Sequence, residues 1–366
     1  MNIASQDSPS LDDLLIPTQE LSMRPWDSLK FDCLDIPTMI TGEEMRYLYW
    51  LGRNFWKDNG HIVEIGPWLG GSTACLASGM RHRIRHPERK CHVFDNFIWR
   101  DFMSARAGLP LNTGDSFQSY FQENLADFND LLVVHRQALP EDDVPLDELA
   151  NSIRSTGDEK KIEPLVWNTG EPVEILFIDG AKSWTGLAYL LRVFNEALIP
   201  GKSFLVCQDY KFWGSYWVPM MFEYFIEHFD MTHNLNHNTV SFRLTRGISE
   251  SEFDKMPDYK YIGIENGIEL LEAASQRLQN IGDRMGGLIL QGCKVRFYLN
   301  MGNIDAAIHL FRKLEATWPI RFENHTINSM RAWLENETET IHAPSLYCHF
   351  CSKMRKIQRR MNRLID

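Results

Sequence analysis

Short apolar runs recur along much of the chain, and most are followed by a segment with helical periodicity. The runs are apolar on both faces, which is typical of strands that helices cover on each side of a sheet. The predicted strands are His61–Ile65, Lys90–Asp95, Leu131–His135, Val173–Asp179 and Ser203–Asp209. Helices are predicted between them, notably at Gly186–Leu198 and Trp217–His228. This alternation predicts an α/β fold with an open, doubly wound, mostly parallel sheet, and Asn238–Thr245 as an added edge strand.

The pattern changes towards the C-terminus, where helical periodicity dominates. The predicted helices there are Gly267–Asn280, Leu288–Asn300 and Ile304–Thr317. We therefore divide the chain into an N-terminal extension with helices (1–60), an α/β domain (61–246) and a helical extension (247–366).

A glycine-rich loop follows the first predicted strand, in the sequence Glu-Ile-Gly-Pro-Trp-Leu-Gly-Gly-Ser-Thr. Gly66 and Gly70 have no Cβ, so the backbone can approach a ligand closely. Ser72 or Thr73 is predicted to cap the next helix, whose free N–H groups favour a polar or anionic ligand. The spacing differs from the Gly-x-Gly-x-x-Gly of dinucleotide sites and the Gly-Lys-Ser/Thr of phosphate loops. Since the loop has no lysine, it favours a nucleoside ligand without a triphosphate.

Three of the predicted strands end in an acid: Asp95, Asp179 and Asp209. In open parallel sheets, ligands bind beyond the carboxyl ends of the strands. The three carboxylates are therefore expected at the same edge as the glycine-rich loop.

These segments together resemble a known family. The order VEIGPWLGGST, VFDNF, LFIDGAKSW and LVCQDY resembles class I S-adenosylmethionine-dependent methyltransferases, and most of all the small-molecule O-methyltransferases related to macrocin O-methyltransferase. The resemblance covers about half of the chain, residues 61–245. It implies that the methionine part of the cofactor is surrounded by Glu64, Gly66, Gly70, Gly71 and Ser72. It also implies that Asp95 accepts hydrogen bonds from the ribose hydroxyls, and one carboxylate can accept from both.

The chain departs from this family at the fourth and fifth strand ends. The family often has Asp-Gly-Asp-His and Asp-Asp-Tyr there, where paired acids hold a divalent cation and the histidine can act as a base. This chain has Asp-Gly-Ala-Lys, ending at Lys182, and Gln-Asp-Tyr, beginning at Gln208. The oxygens of Asp179, Gln208 and Asp209 could still hold Mg²⁺, with weaker affinity because one negative charge is lost.

The alternative is a site without metal, which the loss of an acid and the gain of a base favour slightly. A partly desolvated Lys182 can serve as general base, and its ordinary role would be a solvated lysine or one paired with Asp179. The candidate catalytic residues are therefore Asp179, Lys182 and Asp209.

Aromatic residues are frequent in the segments after these strands. Flat apolar walls with few polar points suit a ring or a sugar, so we predict an acceptor pocket with contributions from Trp99, Trp184, Phe212 and Trp213. The alternative for each is a place in the hydrophobic core.

Composition sets limits on partners and location. The net charge of −11 argues against broad nucleic-acid binding. No apolar run approaches transmembrane length, and the acidic, polar N-terminus does not resemble a signal peptide. The seven cysteines form no extracellular disulfide framework, so a cytoplasmic location is expected.

The C-terminal region contains a segment, VRFYLNMGNIDAAIHLFRKLEATWP, that resembles one tetratricopeptide unit. A single unit must bury its apolar face on a neighbour, so it is either an interaction or dimerisation element or a helical cap. One Cys-x-x-Cys at 348–351 lacks a second pair, so zinc is not expected. The basic amphipathic pattern at 352–364 suits an anionic membrane, an acidic partner or a docked tail helix. The polar insertion at 140–172 is either a lid or a surface loop.

The predicted function is an S-adenosylmethionine-dependent O-methyltransferase that acts on a hydroxyl of a small ring-bearing or sugar-containing acceptor. The alternative is a catalytically altered scaffold of the same fold whose helical C-terminus binds a partner or a second copy.

Overall fold

The computed structural model describes residues 24–30, 35–140, 162–181, 183–318 and 325–342. Four features discussed above lie wholly or mainly outside these ranges: Lys182, the core of the 140–172 insertion, the Cys-x-x-Cys segment and the basic C-terminal pattern.

The described residues contain one mixed sheet. Its strands are β1 (His61–Ile65), β2 (Cys91–Asp95), β3 (Leu132–Ala138), β4 (Glu163–Pro164), β5 (Val173–Ile178), β6 (Phe204–Cys207), β7 (Phe229–Asn234) and β8 (Val240–Leu244). The strand order is β4-β3-β2-β1-β5-β6-β8-β7. All neighbours from β4 to β6 are parallel, whereas β8 is antiparallel to both β6 and β7. The prediction of a doubly wound, mostly parallel sheet is therefore confirmed.

One strand prediction needs correction. The segment 238–245 was expected at the sheet edge, but β8 lies between β6 and β7, and β7 forms the edge. The edge strand has the sequence FDMTHN and only two of its six residues are buried, so it gives no apolar run. Pairing with β8 makes it a strand, and that pairing is a tertiary contact.

Helices cover both faces of the sheet. In the α/β part they are α1 (Gly42–Trp50, continued by a π-helical turn at Leu51–Phe55), α2 (Gly71–Arg81), α3 (Asp101–Ala107), α4 (Gln118–Asn124), α5 (Trp184–Phe194) and α6 (Trp217–Tyr224). Short 3₁₀ turns occur at Ala126–Phe128, Ile226–His228 and Tyr259–Tyr261. Ile62 packs into the core shared with α1 and α2, and its neighbour Val63 packs into the core shared with α5 and α6. Both faces of β1 are therefore buried, as the apolar run predicts.

The C-terminal part of the described chain is helical. Its helices are α7 (Glu250–Lys255), α8 (Ile264–Asn280), α9 (Arg284–Asn300), α10 (Ile304–Thr317) and α11 (His325–His342). Helix α8 packs on α6, α9 packs on α8, and α10 packs on α9. The segment that resembles a tetratricopeptide unit forms the end of α9, a turn at Gly302 and α10. Its resemblance to that repeat stays a prediction.

Charged contacts fasten the helical layer to the sheet. The buried Lys211, just after β6, donates to Asn234 Oδ1 and Asp283 Oδ2, both at 2.8 Å, and to the carbonyl of Leu235. Asp283 also caps α9 by accepting from the Gly286 N–H at 2.7 Å. The Lys211 side chain thus joins the β6 loop to β7 and to the start of α9. None of the helices in the described ranges is both long and apolar enough to cross a membrane.

Candidate functional site

The order of the sheet reverses at β1, which lies between β2 and β5. Ligand crevices in such sheets lie at this point, beyond the carboxyl ends of the strands. Gly66 follows β1 directly, with φ of +84°, and its N–H donates to the Phe94 carbonyl at 3.0 Å. A Cβ on Gly66 would lie 2.7 Å from Gly180 Cα. The loops after β1 and β5 therefore cross in contact, and only glycine fits there.

Helix α2 begins differently from the prediction. Its N-cap is Gly70, in the left-handed conformation with φ of +96°, and its first residue is Gly71. Neither Ser72 nor Thr73 is the cap. Glycine is needed at positions 70 and 71 because of close protein neighbours. A Cβ on Gly70 would overlap Leu125, and a Cβ on Gly71 would overlap Thr38. The first backbone N–H groups of α2 still lack intrahelical partners, which keeps this turn suited to a polar ligand.

The hydroxyls of Ser72 and Thr73, which were expected to cap α2, bind the carboxylate of Glu64 instead. Ser72 and Thr73 both donate to its carboxylate, and the Thr73 Oγ1 to Glu64 Oε2 distance is 2.6 Å. The glutamate is 0% exposed. The pKa of Glu64 is raised to about 7, mainly by burial and also by the nearby charges of Asp179 and Asp95, while the two hydroxyl donors oppose the rise. This carboxylate fastens β1 to the first turn of α2, a link that was not predicted from the sequence.

Asp95 ends β2, at the same edge. It is half-buried, and its Oδ1 accepts the Phe97 N–H at 2.5 Å. Burial raises the pKa of Asp95 to about 6, against the effect of that hydrogen bond and of the Arg100 charge. The structure thus brings the predicted ribose acceptor to the edge where Gly66 and Glu64 lie.

Backbone strain is concentrated at this edge. Among the described residues, the non-glycine positions with positive φ are Asp58, Trp68 (+46°), Phe97 (+55°) and Asp209 (+63°). The last three follow β1, β2 and β6 respectively, each just beyond a strand's carboxyl end. Such conformations cost of order 1–3 kcal/mol each and cluster at functional sites. The distribution supports a site along this edge.

Trp68 is a residue that the sequence analysis did not select. It lies in the glycine-rich loop and stacks on Trp99, with ring centroids 6.5 Å apart. Its Nε1 is buried and has no hydrogen-bond partner in the described structure. Its position inside the glycine-rich loop was the sequence signal that could have identified it, although aromatic residues in loops more often serve packing. Trp99 itself is 0% exposed, donates to Ser104 Oγ at 2.9 Å and lies with Trp68 in the hydrophobic core around α1 and α2, so its place in an acceptor pocket stays a prediction.

Asp179 and Asp209 follow the neighbouring strands β5 and β6. The Asp179 N–H donates to the Ile65 carbonyl at 2.9 Å, and the Gln208 N–H donates to the Ile178 carbonyl at 3.0 Å. All three predicted ligand side chains are half-buried at the same edge. The described residues contain no group of three or more histidine, cysteine, aspartate or glutamate side chains that could hold a metal ion. A set of two aspartates and a glutamine therefore stays a prediction, as does the role of Lys182.

Trp184 belongs to a separate cavity. Its indole is 1% exposed and donates to the Pro257 carbonyl at 3.0 Å. It borders a cavity of about 540 Å³ between α5, α6 and α8, where Arg277 pairs with Glu223 at 2.7 Å. The structure thus places Trp184 against the helical extension, not against the Gly66 crossing.

Trp213 and Phe212, two of the predicted pocket residues, pack against the helical extension. Trp213 is 3% exposed and packs on Trp333, with ring centroids 6.3 Å apart. It belongs to the core of α9, α10 and α11, and the half-buried Phe212 packs against that core. The helical extension needs an apolar surface on the α/β part, and these two side chains supply it. Packing therefore accounts for the burial of these two side chains, and a contribution to an acceptor pocket stays a prediction.

Comparisons with known proteins give structural similarity alone. No family model matches the chain, and no curated protein matches its sequence. Its structure is similar to that of the O-methyltransferase NovP, with 16% identity over 57% of this chain and 82% of that one and a TM-score of 0.33. It is also similar to a putative O-methyltransferase from Klebsiella pneumoniae (15% identity, 58% and 84% covered, TM-score 0.34). An O-methyltransferase from Bacillus cereus in complex with SAH has 16% identity, 64% and 95% coverage and a TM-score of 0.34.

Proposed function

We propose that this protein is an S-adenosylmethionine-dependent O-methyltransferase whose acceptor is a small ring-bearing or sugar-containing molecule. The proposal rests on one observation: the glycine-rich loop after β1 and the acids at the strand ends lie at the same edge of the sheet. At the reversal of the sheet, Gly66 crosses Gly180, α2 directs its first turn to the edge, and Asp95 ends the adjacent strand. Strained backbone at three strand ends supports the same place.

The residues present fit a cationic nucleoside cofactor. Carboxylates of β1, β2 and β5 lie close enough for the charges of Asp95 and Asp179 to act on Glu64. A ligand with positive charge relieves this repulsion. Asp95 would hold the ribose hydroxyls, and the first turn of α2 would face the amino-acid part. When bound, the cofactor supplies a methyl group activated on a sulfonium.

The protein's share of the chemistry is positioning and proton removal. Trp68, in the glycine-rich loop and stacked on the buried Trp99, would be the apolar side chain nearest an acceptor ring. Asp179 or Asp209 would take the proton of the acceptor hydroxyl, and Lys182 is the third candidate base. Holding the acceptor in line with the methyl group would lower the barrier chiefly through orientation.

The proposal covers two arrangements at β5 and β6. In one, Asp179, Gln208 and Asp209 hold Mg²⁺; in the other, Lys182 balances the charge of Asp179 and no metal is used. We favour the second. Activity abolished by a chelator and restored by Mg²⁺ would overturn that choice, whereas activity that survives the chelator and is lost in Lys182→Met would support it.

The decisive experiment has two parts. Calorimetry with S-adenosylhomocysteine tests the cofactor site, and transfer of a labelled methyl group to a panel of phenols, catechols and glycosides tests the reaction. Binding together with transfer to one acceptor class is the expected result. Failure to bind would reject the proposal.

Binding without transfer to any acceptor would favour the alternative of a catalytically altered scaffold. Ala181 and Gln208, which stand where the family often has acids, are the features that keep this alternative open. In that case the helical extension would be the element that contacts a partner or a second copy.

A further inference from the structure

Glu64 is enclosed more completely than a ligand-binding carboxylate usually is. Its side chain is 0% exposed, and both oxygens accept from hydroxyls of α2, those of Ser72 and Thr73. None of the cationic side chains in the described ranges bonds to it. A buried charge without a cation is unfavourable even when hydroxyls donate to it.

The groups that face Glu64 from neighbouring strands make ionisation harder. Asp95 at the end of β2 and Asp179 at the end of β5 both oppose a negative charge on Glu64. The fully buried Cys91 thiol, on β2, also interacts with it, and its own pKa is raised well above the ordinary value, mainly by burial. On the α2 side, only the two hydroxyls favour the charged form. The net result is a pKa of about 7 for Glu64, with burial as the main cause.

We propose that a cationic nucleoside cofactor, on binding at this edge, drives a proton from Glu64 to solvent. The inference rests on the proposed function, because it requires the cofactor's ammonium or sulfonium group near the three carboxylates. A positive charge stabilises the ionised carboxylate, the form to which the Ser72 and Thr73 hydroxyls can both donate. By linkage, ionisation of Glu64 tightens cofactor binding to the same extent. Glu64 is thus a positioning residue: it acts on the cofactor through charge and through the first turn of α2.

The test is calorimetry of the full-length protein with S-adenosylmethionine at pH 7, in phosphate and in Tris. These buffers differ in ionisation enthalpy, so a difference in observed heat counts the protons released. We expect about half a proton per site, because a group with a pKa near 7 is about half protonated at that pH. Adenosine, which has no ammonium group, should bind without release.

Two variants locate the proton. Glu64→Gln should bind with the same heat in both buffers. The matched control is Glu174→Gln: Glu174 is also a buried strand glutamate, but it accepts from the Lys57 and Asn59 N–H groups at the opposite end of the sheet. That control should keep the buffer difference. Release that persists in Glu64→Gln would assign the proton to another group, such as Asp95, and would overturn the inference.

A second pair of variants avoids dependence on Glu64→Gln being folded. Thr73→Val removes one hydroxyl donor to the charged form, so the released fraction should rise and its pH midpoint should move upward. Thr73→Ser keeps the donor and should match the wild type. Equal release in all three proteins would contradict the inference. Absence of any nucleoside binding would reject the proposed function instead, so the two failures are distinguishable.

Discussion

The loops after β1, β2 and β5 differ from the loop after β6, although all four end strands of the same sheet. The first three bring together the glycine crossing and two strand-end acids, around Gly66, Asp95 and Gly180. The loop after β6 contributes Trp213 to the core of the helical extension and Lys211 to a buried contact with α9. The loop after β6 also carries a strand-end acid in strained backbone, Asp209, but its other side chains fasten a layer of helices. Position at the carboxyl edge of a sheet therefore does not by itself make a residue part of a site.

The largest effect that tests this contrast is expected from Trp213→Ala. If the indole serves packing, its loss should lower the free energy of unfolding by about 3–5 kcal/mol. Tyr261→Ala is the control, because Tyr261 is 77% exposed and its removal should change stability by less than about 0.5 kcal/mol. Urea denaturation measures both. A Trp213→Ala protein of normal stability that has lost acceptor binding would place this loop in the pocket after all.

The glycine crossing gives the next effect. Gly66→Ala and Gly108→Ala both put a side chain at positive φ, which costs about 1–2 kcal/mol. A Cβ on Gly108 would have nothing within 4 Å, whereas one on Gly66 would overlap the backbone of Gly180. Overpacking should add about 1–3 kcal/mol at Gly66 alone. Equal losses of stability in the two variants would mean that the contact between the loops after β1 and β5 does not exclude a side chain at Gly66.

Asp95→Ala tests the chemistry of the first group of loops. A hydrogen bond to a charged group is worth about 1.5–3 kcal/mol, so the affinity for S-adenosylhomocysteine should fall on the order of tenfold to a hundredfold. Stability should change little by comparison, which is the reverse of Trp213→Ala. Asp115→Ala, in the same loop region but exposed, is the control and should bind normally. Unchanged affinity in a folded Asp95→Ala protein would remove this residue from the site.

The smallest effect is a pH dependence of stability without ligand. The pKa of Glu64 is about 7 in the folded protein, whereas an unperturbed glutamate, as in the unfolded chain, has a pKa of 4.5. The folded state therefore binds the proton more strongly. The resulting stabilisation is present at low pH and is lost as the pH rises through about 7. Between pH 6 and pH 8, the wild type should lose about 1 kcal/mol more stability than Glu64→Gln. Parallel curves for the two proteins in urea denaturation would show that burial of this carboxyl is not costly.

Much of the α/β core followed from the sequence because it depends on local signals. The apolar runs predicted β1, β2, β3, β5 and β6 to within a few residues, and Ile304–Thr317 was predicted with the bounds that the structure gives. The doubly wound sheet, whose order reverses beside Gly66, was expected because predicted strands alternate with helices. The edge strand β7 was missed because its residues are mostly half-buried and give no period.

The placement of the strand-end acids was also available from the sequence, since carboxyl ends of parallel strands share one edge. Asp95, Asp179 and Asp209 could be assigned to that edge for this reason alone. The partner of a side chain could not be assigned in the same way. Ser72 and Thr73 have the chemistry of helix caps, yet they bond to Glu64, because a left-handed Gly70 already begins the helix.

The sequence by itself therefore determined the order of elements, the glycine-rich loop and the edge at which the acids lie, because each depends on residues close together in the chain. The tertiary structure decided which polar groups pair and which part of the hydrophobic core each aromatic side chain joins. Trp99 and Trp213 look alike as sequence, each an aromatic residue shortly after a strand. One stacks on Trp68 beside the glycine-rich loop, and the other packs on Trp333 from a helix far along the chain. The physical reason is that burial of an aromatic ring is favourable against any apolar partner, and only the folded chain determines which partner is within reach.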